Sequence, residues 1–253
     1  MQAGSETAGS ETAARTAVVT GGSTGIGAEI CRRLIEEGYR VIALQRRAAA
    51  FSHPRLTSLS VDLLDPAATL AAAASIARDA TVTHLIHNAG IIRANRLEAT
   101  PPADLAALSH LHLGVPLILT QALLPAMQAA RFGRIVLISS RAALGLATRT
   151  AYAATKSGMQ GLARTWAQEL GPSGITVNIV APGPIEATDM FHDVLPEGDP
   201  RIAQLAQSIP MRRLGLPADV ANAVSFFCGD QAGFVTGQTL YVCGGASVGT
   251  VQI

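Results

Sequence analysis

Lysine is almost missing from this chain: of 19 basic residues, every one except Lys156 is an arginine. A guanidinium is planar and permanently charged, whereas an ammonium is a compact charge whose pKa moves on burial. Lys156 therefore marks a position where the ammonium itself is needed. Charge of any sign is scarce as well. Charged residues make up 15% of the chain and the net charge is +1, which leaves no electrostatic footprint for nucleic acid. Cysteines are few, odd in number and far apart (Cys31, Cys228, Cys243). That excludes a disulfide framework and a cysteine-based metal site, so they read as buried free thiols suited to a reducing cytoplasm. A basic-then-apolar leader is lacking at the start. Instead Gly4–Ala8 and Gly9–Ala13 repeat GSETA, a small-residue polar tail expected to be disordered over residues 1–13. The longest uncharged run, Leu111–Ala130, is interrupted by His112, Gly114, Pro116, Gln121, Pro125 and Gln128. It reads as a buried or interface helix, not a membrane span.

What is present is alternation of strand and helix patterns, expected to form one α/β domain over residues 14–253. A doubly wound parallel sheet of about seven strands with helices on both faces is the expected fold. Strands are expected at Thr16–Thr20, Arg40–Leu44, Leu59–Asp62, His84–Asn88, Arg134–Ser140, Ile175–Val180 and Thr239–Val242. Helices are expected from about Ala28 to Glu37, at Pro66–Asp79, at Pro102–Phe132 with a bend at Pro116, at Tyr152–Leu170 and at Pro217–Gly229. The stretch Asp189–Leu214 reads as irregular or loosely helical.

Between the first strand and first helix lies TGGSTGIG, Thr20 to Gly27. Glycines 21, 25 and 27 let backbone approach a ligand's phosphates, and a helix N-terminus offers free N–H groups to an anion. The second strand exits into Gln45-Arg46-Arg47, with no acid to hold a ribose 2′-hydroxyl and two guanidiniums suited to a 2′-phosphate. NADP(H) is therefore expected over NAD(H). Further on, Tyr152 and Lys156 stand one helical turn apart on the same face. A phenol beside a cation is an acid–base device, because the cation stabilises the phenolate. Ser140, at the end of an apolar strand, could hydrogen-bond the same reacting oxygen.

Gly21-xxx-Gly25-x-Gly27, Asn88-Ala89-Gly90, Ser140, Tyr152-xxx-Lys156 and Pro182-Gly183 together resemble the classical short-chain dehydrogenase/reductase family, nearest its 3-oxoacyl-reductase-like members. The likeness runs from about Ala14 to Gly245. It implies that Tyr152 is the general acid/base, that Lys156 lowers its pKa and binds the nicotinamide ribose, and that Ser140 orients the carbonyl. It implies a cofactor held by Gly21, Ser23, Thr24, Gly25, Ile26 and Gly27, by Arg46 and Arg47, and by Asp62 and Leu63 at the adenine. Asn88, Ala89 and Gly90 would line the cofactor, and Pro182, Gly183, Ile185 and Thr188 would hold its nicotinamide end. An enoyl reductase is disfavoured, since that related group spaces Tyr and Lys more widely.

Three features depart from the family pattern. His112 stands where an Asn usually completes a proton relay; it could carry a proton, hold a water, or simply hydrogen-bond backbone at a helix distortion. Ser140 is one residue closer to Tyr152 than usual, and Ser139 has the usual count; strand position favours Ser140, with Ser139 pointing the other way. Thr188 falls one residue later than usual after Pro182-Gly183. Substrate selection is expected at Ala142, Leu144, Leu146, Met190 and Phe191, an apolar mouth suited to a hydrophobic or medium-sized carbonyl compound or alcohol. Arg149 could meet an anionic group there, though a lone surface arginine is the plainer reading. The expected function is NADP(H)-dependent interconversion of a ketone and a secondary alcohol. An NAD-dependent alcohol dehydrogenase or a non-catalytic dinucleotide-binding protein are the alternatives. The family's habit implies a homotetramer through the helices in Pro102–Phe132 and Tyr152–Leu170.

Overall fold

Short β-branched and apolar runs form the strands, and in the computed structural model they lie side by side. The structure describes residues 15–248; the GSETA repeat lies outside them. The strands are β1 (Thr16–Thr20), β2 (Arg40–Gln45), β3 (Leu56–Ser60), β4 (Val82–His87), β5 (Gly133–Ile138), β6 (Ile175–Pro182) and β7 (Thr239–Val242). They make one seven-stranded sheet in the order β3-β2-β1-β4-β5-β6-β7, with every pairing parallel. Parallel strands buried on both faces read as continuous apolar runs, and every residue of β5 and β6 is buried. The strand order reverses between β1 and β4, which opens a crevice at their carboxyl ends.

The helices are α1 (Gly25–Glu36), α2 (Pro66–Asp79), α3 (Pro102–Ser109), α4 (Val115–Ala130), α5 (Thr150–Leu170), α6 (Asp189–His192), α7 (Arg201–Ser208) and α8 (Pro217–Cys228). Alternate side chains of a strand point to opposite faces. Val18 of β1 accordingly joins Leu119, Leu123, Met159 and Trp166 from α4 and α5. Its neighbours Ala17 and Val19 join Ile30, Leu34, Val224 and Phe227 from α1 and α8. Two apolar layers thus clamp one sheet. All three cysteines are free and buried.

Several expected boundaries shift. The first helix begins at Gly25, so the last two motif glycines belong to its opening turn. β3 starts three residues before the expected Leu59, because pairing with β2 runs from Val41 opposite Leu56 to Gln45 opposite Ser60. It is an edge strand, half-buried only at Leu56 and Leu59, so its apolar alternation is faint. β5 ends at Ile138, leaving Ser139 and Ser140 beyond the strand.

The long helix expected over Pro102–Phe132 is divided. A π-helical turn, His110–Gly114, separates α3 from α4, and the Val115 N–H donates to the His110 carbonyl. Pro116 has no N–H to give, and its ring excludes the carbonyl four residues back, so the ladder widens there. The segment Pro102–Ala130 is long and apolar enough to cross a membrane. Here Leu111, Val115, Leu119, Leu123 and Met127 turn inward and belong to the core of the sheet.

Candidate active site at the carboxyl ends of the strands

The glycine turn exists because backbone must touch backbone. Gly21 adopts φ +69°, and a Cβ on Gly27 would collide with the Gly21 carbonyl and approach Asn88 Nδ2 to 2.6 Å. Asn88 Nδ2 donates to the carbonyls of Thr20 and Gly21, at 3.2 and 3.0 Å. Thr20 Oγ1 accepts from the N–H groups of Asn88 and Ala89, both at 3.0 Å. With both acceptor directions used, its proton points to His87 Nδ1, 3.0 Å away. β1, β4 and α1 are thereby locked around one point.

A cleft of about 540 Å³ opens above it. Gly21, Ser23, Thr24, Gly25, Ile26 and Gly27 line one wall, with Arg46, Arg47, Asp62 and Leu63 at one end. Asn88, Ala89 and Gly90 line the floor, and Thr188 and Met190 the opposite rim. Thr24 caps α1 with extended backbone and no side-chain hydrogen bond to the helix. Thr188 Cγ2 lies against Gly25, 3.1 Å from where a Cβ would stand. Asp62 Oδ1 accepts from Leu64 N at 3.0 Å.

Some expected cofactor and substrate residues face elsewhere. Ile185 is buried in the core and wedged against Gly215, so only its backbone is left for a ligand. Gly183 packs on Cys243 and Pro182 ends β6. Arg47 is already paired with Asp189 at 2.8 Å, an acid the sequence reading missed; Arg46 makes no ion pair among the described residues. Ala142 packs on Tyr152. Leu144 and Leu146 instead stand 58% and 45% exposed, too open to form a pocket wall. Phe191 turns its ring to His192, 5.6 Å between centroids. Arg149, the plainer reading of which was a surface charge, is only 8% exposed.

Beyond Gly90 lies the candidate catalytic corner. Tyr152 and Lys156 are 6% and 2% exposed on the inner face of α5. Lys156 Nζ donates to the Ile138 carbonyl at 2.7 Å and stands 5.8 Å from the Tyr152 ring centre. Ser140 caps the turn Arg141–Leu144, accepting from Ala142 N at 3.1 Å, and its hydroxyl acts on the Tyr152 phenol, pulling its pKa down. Ser139 turns away, donating to the Lys156 carbonyl at 2.8 Å.

Burial raises the Tyr152 phenol, while Ser140 and the Arg149 charge pull it back. Burial also drives Lys156 from 10.5 down to about 7. At neutral pH the corner holds a protonated phenol, a competent acid.

His112 sits in the π turn, its ring 5.6 Å from that of Tyr152 and edge-on. Its Nδ1 lies 2.8 Å from Thr155 Oγ1, whose proton goes to the Ala151 and Tyr152 carbonyls. Thr155 can then only accept from the ring, which fixes the proton on Nδ1 and leaves Nε2 as an acceptor. That Nε2 is buried without a partner. A Cβ on Gly90 would lie 3.1 Å from it and 3.3 Å from Lys156 Nζ, so the two nitrogens flank one small space. Burial, then the Lys156 charge, holds the imidazole well below its usual pKa. Thr155 and Thr20 went unread in the sequence, although TAYAATK places Thr155 between the two catalytic candidates.

A doubly wound sheet with a glycine cradle and a buried Ser–Tyr–Lys corner defines an α/β oxidoreductase of the dinucleotide-binding kind. The chain matches the family model described as enoyl-(acyl carrier protein) reductase over residues 21–247. It is 39% identical to subunit BbsD of a hydroxy(phenyl)methylsuccinyl-CoA dehydrogenase from Thauera aromatica, covering 92% of this chain and 97% of that one. It is 37% identical to a 3-oxoacyl-(acyl-carrier-protein) reductase of Escherichia coli, covering 91% and 96%. A solved short chain dehydrogenase/reductase family protein superposes with TM-score 0.84 at 33% identity, covering 93% and 98%. ElxO, solved with NADP bound, superposes with TM-score 0.85 at 25% identity, covering 93% and 100%. The chain belongs to the short-chain dehydrogenase/reductase family and is an oxidoreductase of its 3-oxoacyl-reductase-like kind.

The depressed Lys156 makes a checkable statement about stability. Between pH about 7 and 10.5 the unfolded chain binds a proton at this residue that the folded chain does not. Raising pH through that window stabilises the fold, and the gain is lost as pH falls back through 7. Melting curves across it should climb in the native protein relative to Lys156→Met; parallel curves would mean the buried amine keeps an ordinary pKa.

Proposed function

We propose that the protein interconverts a carbonyl compound and a secondary alcohol, with Tyr152 as acid/base and NADP(H) as the preferred dinucleotide. The observation that carries this reading is the buried Tyr152 phenol, on which Ser140 acts, one helical turn from Lys156, whose amine lies against Gly90 of a cleft lined by Asn88, Ala89 and Gly90. The cradle fits a dinucleotide: glycines 21, 25 and 27 carry no side chains of their own there, and Thr24 leaves the first N–H groups of α1 without a side-chain cap. When bound, the nicotinamide supplies or accepts the hydride. Ser140 orients the substrate oxygen, and Tyr152 gives it a proton in reduction and takes one in oxidation. Lys156 holds ribose hydroxyls below, and His112 Nε2 accepts from a water shared with Lys156, returning the proton path to solvent.

The names of both curated relatives describe an acyl group on a carrier, which supports an oxygenated acyl compound as substrate. Although the family model carries an enoyl reductase description, the Tyr152–Lys156 spacing supports carbonyl chemistry. Arg46 and Arg47, with no acid at the end of β2, support NADP(H). The Arg47–Asp189 pair favours the second reading, NAD(H), because it leaves Arg46 to meet a 2′-phosphate alone. The reading also includes a cytoplasmic homotetramer. Small exposed residues on α5 (Ala154, Ser157, Gly158, Gly161) support it, since they allow close approach of a second copy.

On a ketone that the protein reduces, Tyr152→Phe should lower kcat about 1000-fold or more while dinucleotide binding survives; near-normal turnover ends the acid/base assignment. Titration with NADPH and NADH should show tighter NADPH binding, with Arg46→Ala removing roughly tenfold or more of it. Equal affinities would favour NAD(H). Light scattering should give four times the chain mass, and a value near 26.1 kDa would refute the tetramer.

A further inference from the structure

We propose that Arg149 is a substrate-recognising residue, and that the substrate is an oxo acid whose free carboxylate lies within a few carbons of the reacting carbonyl. This rests on the carbonyl-reducing reading above and names its substrate class. Arg149 caps α5, so it stands three residues before Tyr152, at the start of the turn that carries it. The guanidinium charge reaches the phenol.

The arginine is buried yet has no counter-ion. Its Nη1 donates to the carbonyl and hydroxyl of Thr148, at 3.2 and 2.6 Å. No ion pair among the described residues includes it. The buried carboxylate of Asp104, in the first turn of α3, is taken by Arg93 at 2.7 Å and by Asn95 Nδ2 at 3.4 Å. Withdrawing a charge from water without a partner is costly, and a carboxylate forking onto the remaining guanidinium donors repays it.

The backbone is built to hold the residue there. Thr148 adopts φ +65°, a left-handed conformation that a β-branched residue rarely takes. Its carbonyl accepts from Asn95 N at 3.1 Å, and Asn95 bridges to Arg149 across the mouth. The corner holds little other fixed charge: Lys156 titrates near pH 7 and His112 is neutral. Arg149 is the arginine whose charge acts on the phenol. The separation of three residues suits a carboxylate near the carbonyl and not a distant phosphate of a carrier arm.

The test uses the full chain with NADPH and NADH, comparing 3-oxobutanoate and 4-oxopentanoate with their methyl esters. The acids should be reduced with kcat/KM about 30-fold or more above the esters. Arg149→Gln should abolish the difference between acid and ester, mainly through KM for the acid. Arg149→Lys, which keeps the charge and loses the fork, should fall between. In parallel, 3-hydroxybutanoate should bind saturably by fluorescence titration to the native protein and not to Arg149→Gln. Equal rates for acid and ester, or an acid preference that survives Arg149→Gln, overturn the proposal and leave carbonyl reduction standing. Arg149-dependent binding of the acid with no turnover of any carbonyl upholds the anion site and overturns the reaction. Should Arg149→Gln fail to fold by circular dichroism, Arg149→Lys and the native acid-to-ester ratio decide the matter.

Discussion

The close approach of α1 to the end of β1 governs this structure. Gly27 packs on the Gly21 carbonyl with no room for a Cβ, and Asn88 pins the Thr20 and Gly21 carbonyls from β4. Because this contact sits where the strand order reverses, it fixes three elements at once and leaves N–H groups facing a crevice. The cleft, its floor at Asn88-Ala89-Gly90 and the distance to Lys156 all follow from that placement. A side chain at either glycine would force the helix from the strand, and the cradle would be lost with it.

The second constraint is electrostatic. The catalytic corner is dry, so every titratable group in it favours its neutral form. Tyr152 and Lys156 are each displaced toward neutrality, and the orphaned Nε2 of His112 faces Lys156 across Gly90. The lysine's solitary place in the sequence then acquires a physical reason. An arginine would remain charged when desolvated, whereas an amine that yields its proton near pH 7 can take part in proton exchange. Arg149 is the exception, a fixed charge sheltered without a carboxylate. The pairing of Arg47 with Asp189 ties the segment after β6 to the far end of the same cleft.

Much of this was legible because it depends on local patterns. Alternating apolar runs and glycine turns announced seven strands, and α2 and β7 fall where expected because Asp65-Pro66 starts a helix and a β-branched run precedes Gly244. β3 was misplaced because an edge strand needs no clear alternation. The π turn escaped notice since a proline announces a distortion but not which carbonyl it frees. Leu144 and Leu146 looked like pocket walls by hydropathy alone, and only the path of the loop turns them to solvent.

By itself, then, the sequence determined the fold class, the cradle and the Ser–Tyr–Lys order, since each rests on residue type and spacing along one or two elements. Tertiary structure decided everything that depends on burial and on contacts between distant segments. Ser140 was separated from Ser139 by where each hydroxyl points, and the proton of His112 was placed by Thr155, 43 residues away. Arg149 passed from plain surface charge to buried cation, on a stretch of chain that bridges to Asn95, 54 residues away. Desolvation is a property of the packed whole, and no spacing of letters along the chain encodes it.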